Sequence, residues 1–343
     1  MTKTVTGHDV ARLAGVSQAT VSRALRNLPG TSPRTRAAVL AAADALNYLP
    51  SDSGRALSTR RTRRVAVVVA ELTNPYYPEL VEPLRQALLA HDLRTVLVSD
   101  RPERSDHGAL VDQLADGSYD SVILTTTTRD STLPRDLTER EVPHVLVNRV
   151  LDHPESPGCT FDNVDGSAQV ARLLAGLGHR AIGAILGPVD TSTGRDRASG
   201  LQDALRTLGR PLTRRFTRRV SAFEHDTAFR SAHELLSMNP RPTAIVCAND
   251  VVALGALSAA RELNLAVPSE VTVVGFDDIA MAAWPLVDLT TVRCDLHVLA
   301  SRSVELITGR LSGASREDAL VRVPVELIER GTHAPPPRDA WDQ

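Results

Sequence analysis

Two groups of side chains in this sequence are built to grip a partner through paired hydrogen bonds, and they lie in separate parts of the chain. Near the N-terminus, SQATVSRALR (17–26) carries the carboxamide of Gln18 and the guanidinium of Arg23. A carboxamide matches the adenine edge with two hydrogen bonds, and a guanidinium matches guanine or a phosphate. Ala19 offers only apolar contact, of the kind a thymine methyl accepts. Further on, Asp, Asn and Arg recur with aromatic residues in ELTNPYYPEL (71–80), VNR (147–149), GPVDTSTGRDRASG (187–200), AND (248–250) and GFDD (275–278). Such groups hold vicinal hydroxyls in pairs while a ring face covers the apolar side of a sugar, a set suited to a polar, neutral molecule.

Other chemistries lack their residues. Lys3 is the only lysine, which removes a phosphate loop ending in Lys and a Schiff-base lysine in a folded site. Neither G-x-S-x-G nor H-E-x-x-H occurs. The glycines of GLGHRAIG (176–183) precede a strand instead of following one, so they make no dinucleotide fingerprint. Cys159, Cys247 and Cys294 are far apart and odd in number, which fits buried free thiols and neither a disulfide framework nor a zinc cluster. No metal, no cofactor and no catalysis is expected. No apolar run is long enough to span a bilayer, and MTKTVTGHDV has no apolar stretch after its lysine, so a cytoplasmic protein is the expectation.

The N-terminal group needs a scaffold, and three short helices are written in the sequence. A T-x-x-D capping box at Thr6 and Asp9 precedes Val10, Leu13 and Ala14, and Gly15 breaks the pattern. Ser17 caps a second helix that buries Val21 and Leu25. Ser32, with Pro33 at the first helical position, opens a third with Val39, Leu40, Ala43 and Leu46 at helical spacing. Helices this short are marginal in water and must pack on one another, which is the arrangement of a helix-turn-helix. In that geometry the second helix enters the major groove with Gln18, Ala19 and Arg23. Thr6, Ser17, Ser22, Ser32, Arg34 and Thr35 suit phosphates, whereas Thr20 is read as capping and packing. Residues 1–64 hold eleven basic against three acidic side chains, a net +8, while the remainder carries −10. A small basic module fused to a large acidic one points to a polyanionic partner for the first.

VTGHDVARLAGVSQATVSRAL, then SPRTRAAV, then ALNYLP resemble, in order and spacing, the headpiece of the lactose-repressor/galactose-repressor (LacI/GalR) family of bacterial transcription regulators. The resemblance implies that SDSGRALSTRRTRR (51–64) is a hinge helix formed when a dimer sits on its operator. Arg55 would then lie on the DNA and Leu57 would wedge into the minor groove; the alternative is a leucine that packs on the core domain. Gly54 stands where the family commonly carries alanine, which costs a helix about 1 kcal/mol.

From Arg64 onward strands and helices alternate. Strands are predicted at 65–70, 94–99, 121–125, 144–148, 181–186, 214–220, 244–248 and 271–276, with helices at 79–90, 107–115 and 196–208 among them. The predicted fold is α/β: a three-helix headpiece (1–50), a hinge (51–63), two doubly wound parallel subdomains that bind effector and dimerise (64–330), and a loose tail (331–343). The resemblance adds a likeness to periplasmic binding proteins. It continues through TNPYY, FDNVDG, GHRAIG, RDRASG, CANDVVALGAL, VVGFDD and LTTVR. On those matches it assigns effector contacts to Tyr76, Tyr77, Asn148, Arg197, Phe223, Asn249 and Asp277. Other roles stay open for three of these: a helix cap for Asn249, plain core for Phe223, and pairing with an acidic neighbour for Arg197. Asp250 is read as a helix cap and Gly178-His179-Arg180 as a structural loop. Cys294 stands where several members carry a glutamine that faces the cleft.

The implied function is a sequence-specific DNA-binding regulator, a repressor as is usual in the family, controlled by a small molecule between the two subdomains. A sugar is the family's commonest effector, with a nucleobase or another metabolite as the alternative. The implied partners are a pseudo-palindromic double-stranded operator with half-sites about one helical turn apart and a second copy of the chain, in a dimer or a higher assembly. Helix 79–90 is a candidate dimer face. A sugar-binding transport protein shares the fold expected for 64–330, but it requires export, and the basic headpiece argues against it.

Overall fold

The computed structural model describes residues 5–48, 61–70, 72–100, 107–152, 156–313 and 320–337. Contacts divide the chain into two compact units, Met1–Arg63 and Arg64–Gln343.

The first unit contains α1 (Gly7–Ala14), α2 (Gln18–Leu25) and α3 (Pro33–Ala45). Gly15 ends α1 in a left-handed conformation at φ 66°, where its backbone N–H satisfies carbonyls of the last turn. The core is Val10, Val21, Ala24, Val39, Ala42 and Ala43. Leu13 and Leu40, which belong to the apolar spacing, remain exposed. Gly54, Arg55 and Leu57 lie outside the described residues.

The second unit has two lobes. The first lobe runs β1 (Arg64–Val69), α4 (Tyr76–Ala90), β2 (Arg94–Ser99), α5 (His107–Ala115), β3 (Ser121–Leu124), α6 (Leu133–Glu139), β4 (His144–Val147) and β5 (Gly158–Phe161). The second runs α7 (Asn163–Gly176), β6 (Ile182–Leu186), α8 (Ser192–Thr207), β7 (Thr217–Arg219), α9 (His225–Leu236), β8 (Ala244–Cys247), α10 (Asp250–Glu262), β9 (Thr272–Val274) and β10 (Thr291–Cys294). The chain then returns through α11 (Leu296–Ser312) and β11 (Leu320–Val323) before β12 (Val325–Ile328). The sheets are ordered β11-β5-β4-β3-β1-β2 and β7-β6-β8-β9, and all their pairings are parallel. β10 and β12 form a separate antiparallel pair.

The β-branched run of β1 is buried on both faces, as expected of a central parallel strand. α4 begins at Tyr76 and α8 at Ser192, each earlier than the periodicity predicts, because Asn74 Oδ1 accepts the Tyr76 N–H (3.1 Å) and Thr191 Oγ1 accepts the Gly194 N–H (3.1 Å). The tail expected from residue 331 is tied down at its start. Thr332 Oγ1 donates to the Val273 carbonyl (2.7 Å), the Val273 N–H donates to the Thr332 carbonyl (2.9 Å), and the Ala334 carbonyl meets His179 Nε2 (2.9 Å). His179 also bonds Thr243 through Nδ1 (2.8 Å), so the GHR loop staples the stretch at Ala334 to the second sheet. The carboxyl ends of β1 and β4 face those of β6, β8 and β9, and it is there that open parallel sheets place ligands.

Candidate functional site

In the headpiece, the groups read as DNA contacts divide by what their side chains already do. The Thr6 hydroxyl and backbone N–H both donate to the Asp9 carboxylate (2.8 and 3.0 Å). Ser17 Oγ accepts the Thr20 N–H (3.2 Å) and Ser32 Oγ the Thr35 N–H (3.1 Å), and each pair of hydroxyls is also bonded. Ser22 is engaged by Arg26 one turn on. These five residues and Thr20 therefore fix helix ends and turns, worth about 1 kcal/mol per N-cap. Gln18, Ala19, Arg23 and Arg34 are exposed, and no hydrogen bond or ion pair occupies the three polar side chains among the described residues. The N-terminal end of α2 thus presents an amide, a methyl and a guanidinium outward on one short helix.

In the second unit, Tyr76, Tyr77, Asn148, Arg197, Phe223, Asn249 and Asp277 all line one cleft. β1 and the start of α4 bring the two tyrosines, the end of β4 brings Asn148, α8 brings Arg197, and the ends of β8 and β9 bring Asn249 and Asp277. Asn74, Arg149 and Thr193 line it too; they lie inside the stretches TNPYY, VNR and DTST, but a loop has no periodicity from which to read side-chain direction. The cavity is ≈ 20 Å³, room for about one water.

Arg197 is the hub. Its Nη2 donates to Asp277 Oδ1 (2.7 Å), Nε to Asn163 Oδ1 (2.8 Å) and Nη1 to the Ala248 carbonyl (2.8 Å), and the guanidinium lies 3.8 Å from the centre of the Phe276 ring. Burial pulls the Arg197 pKa down, but Asp277, with Cys294 and Tyr76 beside it, together outweigh that pull and hold the guanidinium above its ordinary range. For Asp277, burial pushes the carboxyl up and Arg197 opposes that push. The pairing with an acidic neighbour left open for Arg197 is therefore present, and it sits in the cleft itself. Asn148 (φ 68°) and Asp277 (φ 115°) both hold positive φ, where a side chain is strained. Strained backbone of this kind collects at ligand clamps.

Two neighbouring readings change. Asn249 is the N-cap of α10, with Oδ1 accepting the Val252 N–H (3.0 Å), and it lines the cleft as well. Asp250, read as the cap, is instead fully buried inside the helix start. It accepts from Thr291 Oγ1 (2.5 Å) and the Ile279 N–H (2.9 Å), and burial raises its pKa well above the usual carboxylate range. Phe223 is half-buried on the cleft wall rather than in the core. The three cysteines are free and buried, and burial raises the thiol pKa of Cys294 beside the cleft. No cluster of His, Cys, Asp and Glu suited to a metal occurs among the described residues, and no helix there is long and apolar enough to cross a membrane.

Residues 6–51 match the model of bacterial regulatory proteins of the lacI family, and residues 171–333 match the periplasmic binding protein-like domain. The HTH-type transcriptional regulator CelR of Thermobifida fusca is 33% identical over 94% of this chain and 96% of its own. A solved complex of the transcriptional regulator CelR with cellobiose is 31% identical, with a TM-score of 0.74 over 96% of this chain and 99% of that one. The Lac repressor dimer bound to operator and the anti-inducer ONPF is 27% identical, with a TM-score of 0.85 over 97% of this chain and 100% of that one. With a regulator of that kinship spanning nearly its full length, a helix-turn-helix before two parallel α/β lobes and a polar cleft between them, this chain belongs to the LacI family of bacterial HTH-type transcriptional regulators.

Proposed function

We propose that this chain is an operator-binding repressor that reads DNA through Gln18, Ala19 and Arg23 and is switched by a sugar held in the cleft around Arg197 and Asp277. The observation that carries the reading is the convergence of seven residues, spread from Tyr76 to Asp277, on one cavity between two lobes. Its paired donors and acceptors suit hydroxyls, and Tyr77 and Phe223 supply ring faces. A solved relative holds cellobiose, which favours a carbohydrate over a nucleobase. Arg34 and the helix-end hydroxyls serve the DNA backbone, and Arg55 and Leu57 belong to the hinge that orders on the operator. The repressor acts as a dimer. Trp284 (54% exposed) and Leu286 (88%) on the second lobe and Leu89 (58%) and Leu97 (43%) on the first give each lobe apolar surface for a second copy.

The test is a fluorescence-anisotropy titration of the full chain with duplexes from its own upstream region, at several salt concentrations and with a sugar panel. Specific binding should weaken steeply with salt, by about 0.9 log units per decade for each phosphate neutralised. One sugar should shift the affinity within the roughly 5–150-fold range usual for allosteric coupling. Salt-insensitive binding, or no shift with any sugar, refutes the corresponding half of the reading.

A further inference from the structure

Within the cleft just assigned to a sugar, the charges do not balance. Two guanidinium groups line it, Arg149 and Arg197, against the single carboxylate of Asp277. Arg197 is fully engaged with Asp277, Asn163 and the Ala248 carbonyl. Arg149 is not. No carboxylate lies within ion-pair distance of it among the described residues, no hydrogen bond uses its side chain, and its Nε is enclosed without a partner. The guanidinium rests 5.6 Å from the centre of the Phe223 ring, a contact that supplies no opposite charge. The residue beside it in the same loop is Asn148, an amide rather than an acid.

A second donor is stranded in the same space. Tyr76 is 5% exposed, and its hydroxyl has no hydrogen-bond partner. A buried hydroxyl without a partner is unfavourable, so the Tyr76 hydroxyl and the Arg149 guanidinium, which line one cavity, suit a ligand that accepts from both. A neutral hydroxyl could accept from either group but would leave the half-buried Arg149 without an ion-pair partner, within reach only of the longer-range field of Asp277. A carboxylate or phosphate satisfies both donors and the charge together, through the forked pairing that guanidinium makes with oxyanions.

We propose that the effector is an acidic sugar, a sugar phosphate or a sugar acid, whose anionic group sits against Arg149 and the Tyr76 hydroxyl while its hydroxyls engage Arg197, Asp277 and Asn249. The proposal rests on the sugar-site reading and narrows it. The two sources of the anion share their recognition chemistry, and the ligand arms of the test separate them.

The test is a thermal-shift titration of the full chain at constant ionic strength, first with inorganic phosphate as the minimal probe. Glucose, glucose 6-phosphate and glucuronate follow. Phosphate should stabilise the parent saturably. Arg149→Gln should lose about tenfold or more in affinity for it, as expected for deleting a charged hydrogen bond. Arg149→Lys should recover part of the loss, and Tyr76→Phe should give a smaller loss with a raised melting temperature in the absence of ligand, because it removes a buried unpaired hydroxyl. Equal stabilisation of parent and Arg149→Gln would place phosphate elsewhere, on the basic headpiece, and overturn the proposal. No response to phosphate or either acidic sugar, together with stabilisation by neutral glucose that Asp277→Ala abolishes, would overturn the acidic class and leave the sugar site standing. Silence from all four ligands would count against both.

Discussion

Replacing Asp277 separates a structural ion pair from a ligand-binding one. Its carboxylate and Arg197 are both more than nine-tenths buried and 2.7 Å apart. Asp277→Ala leaves the guanidinium buried with only Asn163 and a carbonyl as partners, and breaking one side of a buried pair costs about 3–5 kcal/mol. The alanine also inherits the backbone at φ 115° without relieving it. Asp277→Asn keeps an acceptor oxygen and a residue type more tolerant of positive φ, so it should cost less, about 1.5–3 kcal/mol for the lost charged hydrogen bond. Removing both partners, as Arg197→Met with Asp277→Asn, should be less harmful than the sum of the single changes by about 0.5–3 kcal/mol. Urea unfolding followed by circular dichroism measures all three, with midpoints compared at constant slope. Operator affinity without effector should stay near that of the parent, because the headpiece core is a separate cluster. A loss below about 1 kcal/mol for Asp277→Ala, or strict additivity in the double variant, would refute a tightly coupled buried pair.

Arg23→Ala should weaken specific operator binding by about 1–3 kcal/mol and relax selectivity at one base position, seen in a mobility-shift titration against single-base variants of the operator. Arg34→Ala should weaken all sequences alike and lower the salt slope by about one unit. Ser32→Ala should destabilise the headpiece by about 1 kcal/mol through its lost cap, read from hydrogen exchange in α3. His179 is buried, and burial lowers its pKa below the ordinary histidine value. Its folded-state pKa is thus depressed, so its contribution to stability is complete above the unfolded value near 6.5 and fades as pH falls below it. His179→Gln should flatten that acid-side loss of stability.

Much of this architecture is visible in the residues. β-branched runs mark the parallel strands, Ser17 and Ser32 mark helix starts, and Gly15 marks a stop, because each acts through its own backbone or its immediate neighbours. The cleft residues are visible as polar clusters at strand ends. What stays hidden depends on partners distant in sequence. Asp250 and Asn249 both suit a cap; only the approach of Thr291 and Ile279 decides that Asp250 turns inward. Arg149 is unremarkable in VNR until Phe223 and Tyr76 close around the same cavity. The stretch from residue 331 looks loose because its anchors, Thr332 on Val273 and the Ala334 carbonyl on His179, have partners far upstream and no local signature.

The cleft also carries its own restraint against ligand entry. Across one rim, the Arg129 backbone N–H donates to the Asp190 carbonyl (2.8 Å), its Nη1 to the Val189 carbonyl (3.0 Å), and the Val150 N–H to Ser192 Oγ (3.0 Å). Asp152 there binds both Arg129 and, on the other lobe, Arg195. On another part of the rim, both carboxylate oxygens of Glu79 accept the Ala280 N–H (3.0 and 3.1 Å). With these closed, the cavity of ≈ 20 Å³ admits nothing larger than a water, whereas small-molecule sites usually measure hundreds of Å³. An effector must therefore bind a state in which the rim is parted, and its measured affinity is reduced by how rarely that state occurs. Asp152→Asn removes the charge that holds Arg129 and Arg195 together. The three side chains are about one-third exposed, so the pairing is worth only about 0.2–1 kcal/mol. The variant should bind effector tighter, by up to about fivefold, and the gain should shrink in high salt, because salt has already weakened the latch in the parent. Calorimetry at two ionic strengths decides it. Weaker binding by Asp152→Asn would mean that the rim contacts belong to the effector-bound state, and that closure follows entry instead of opposing it.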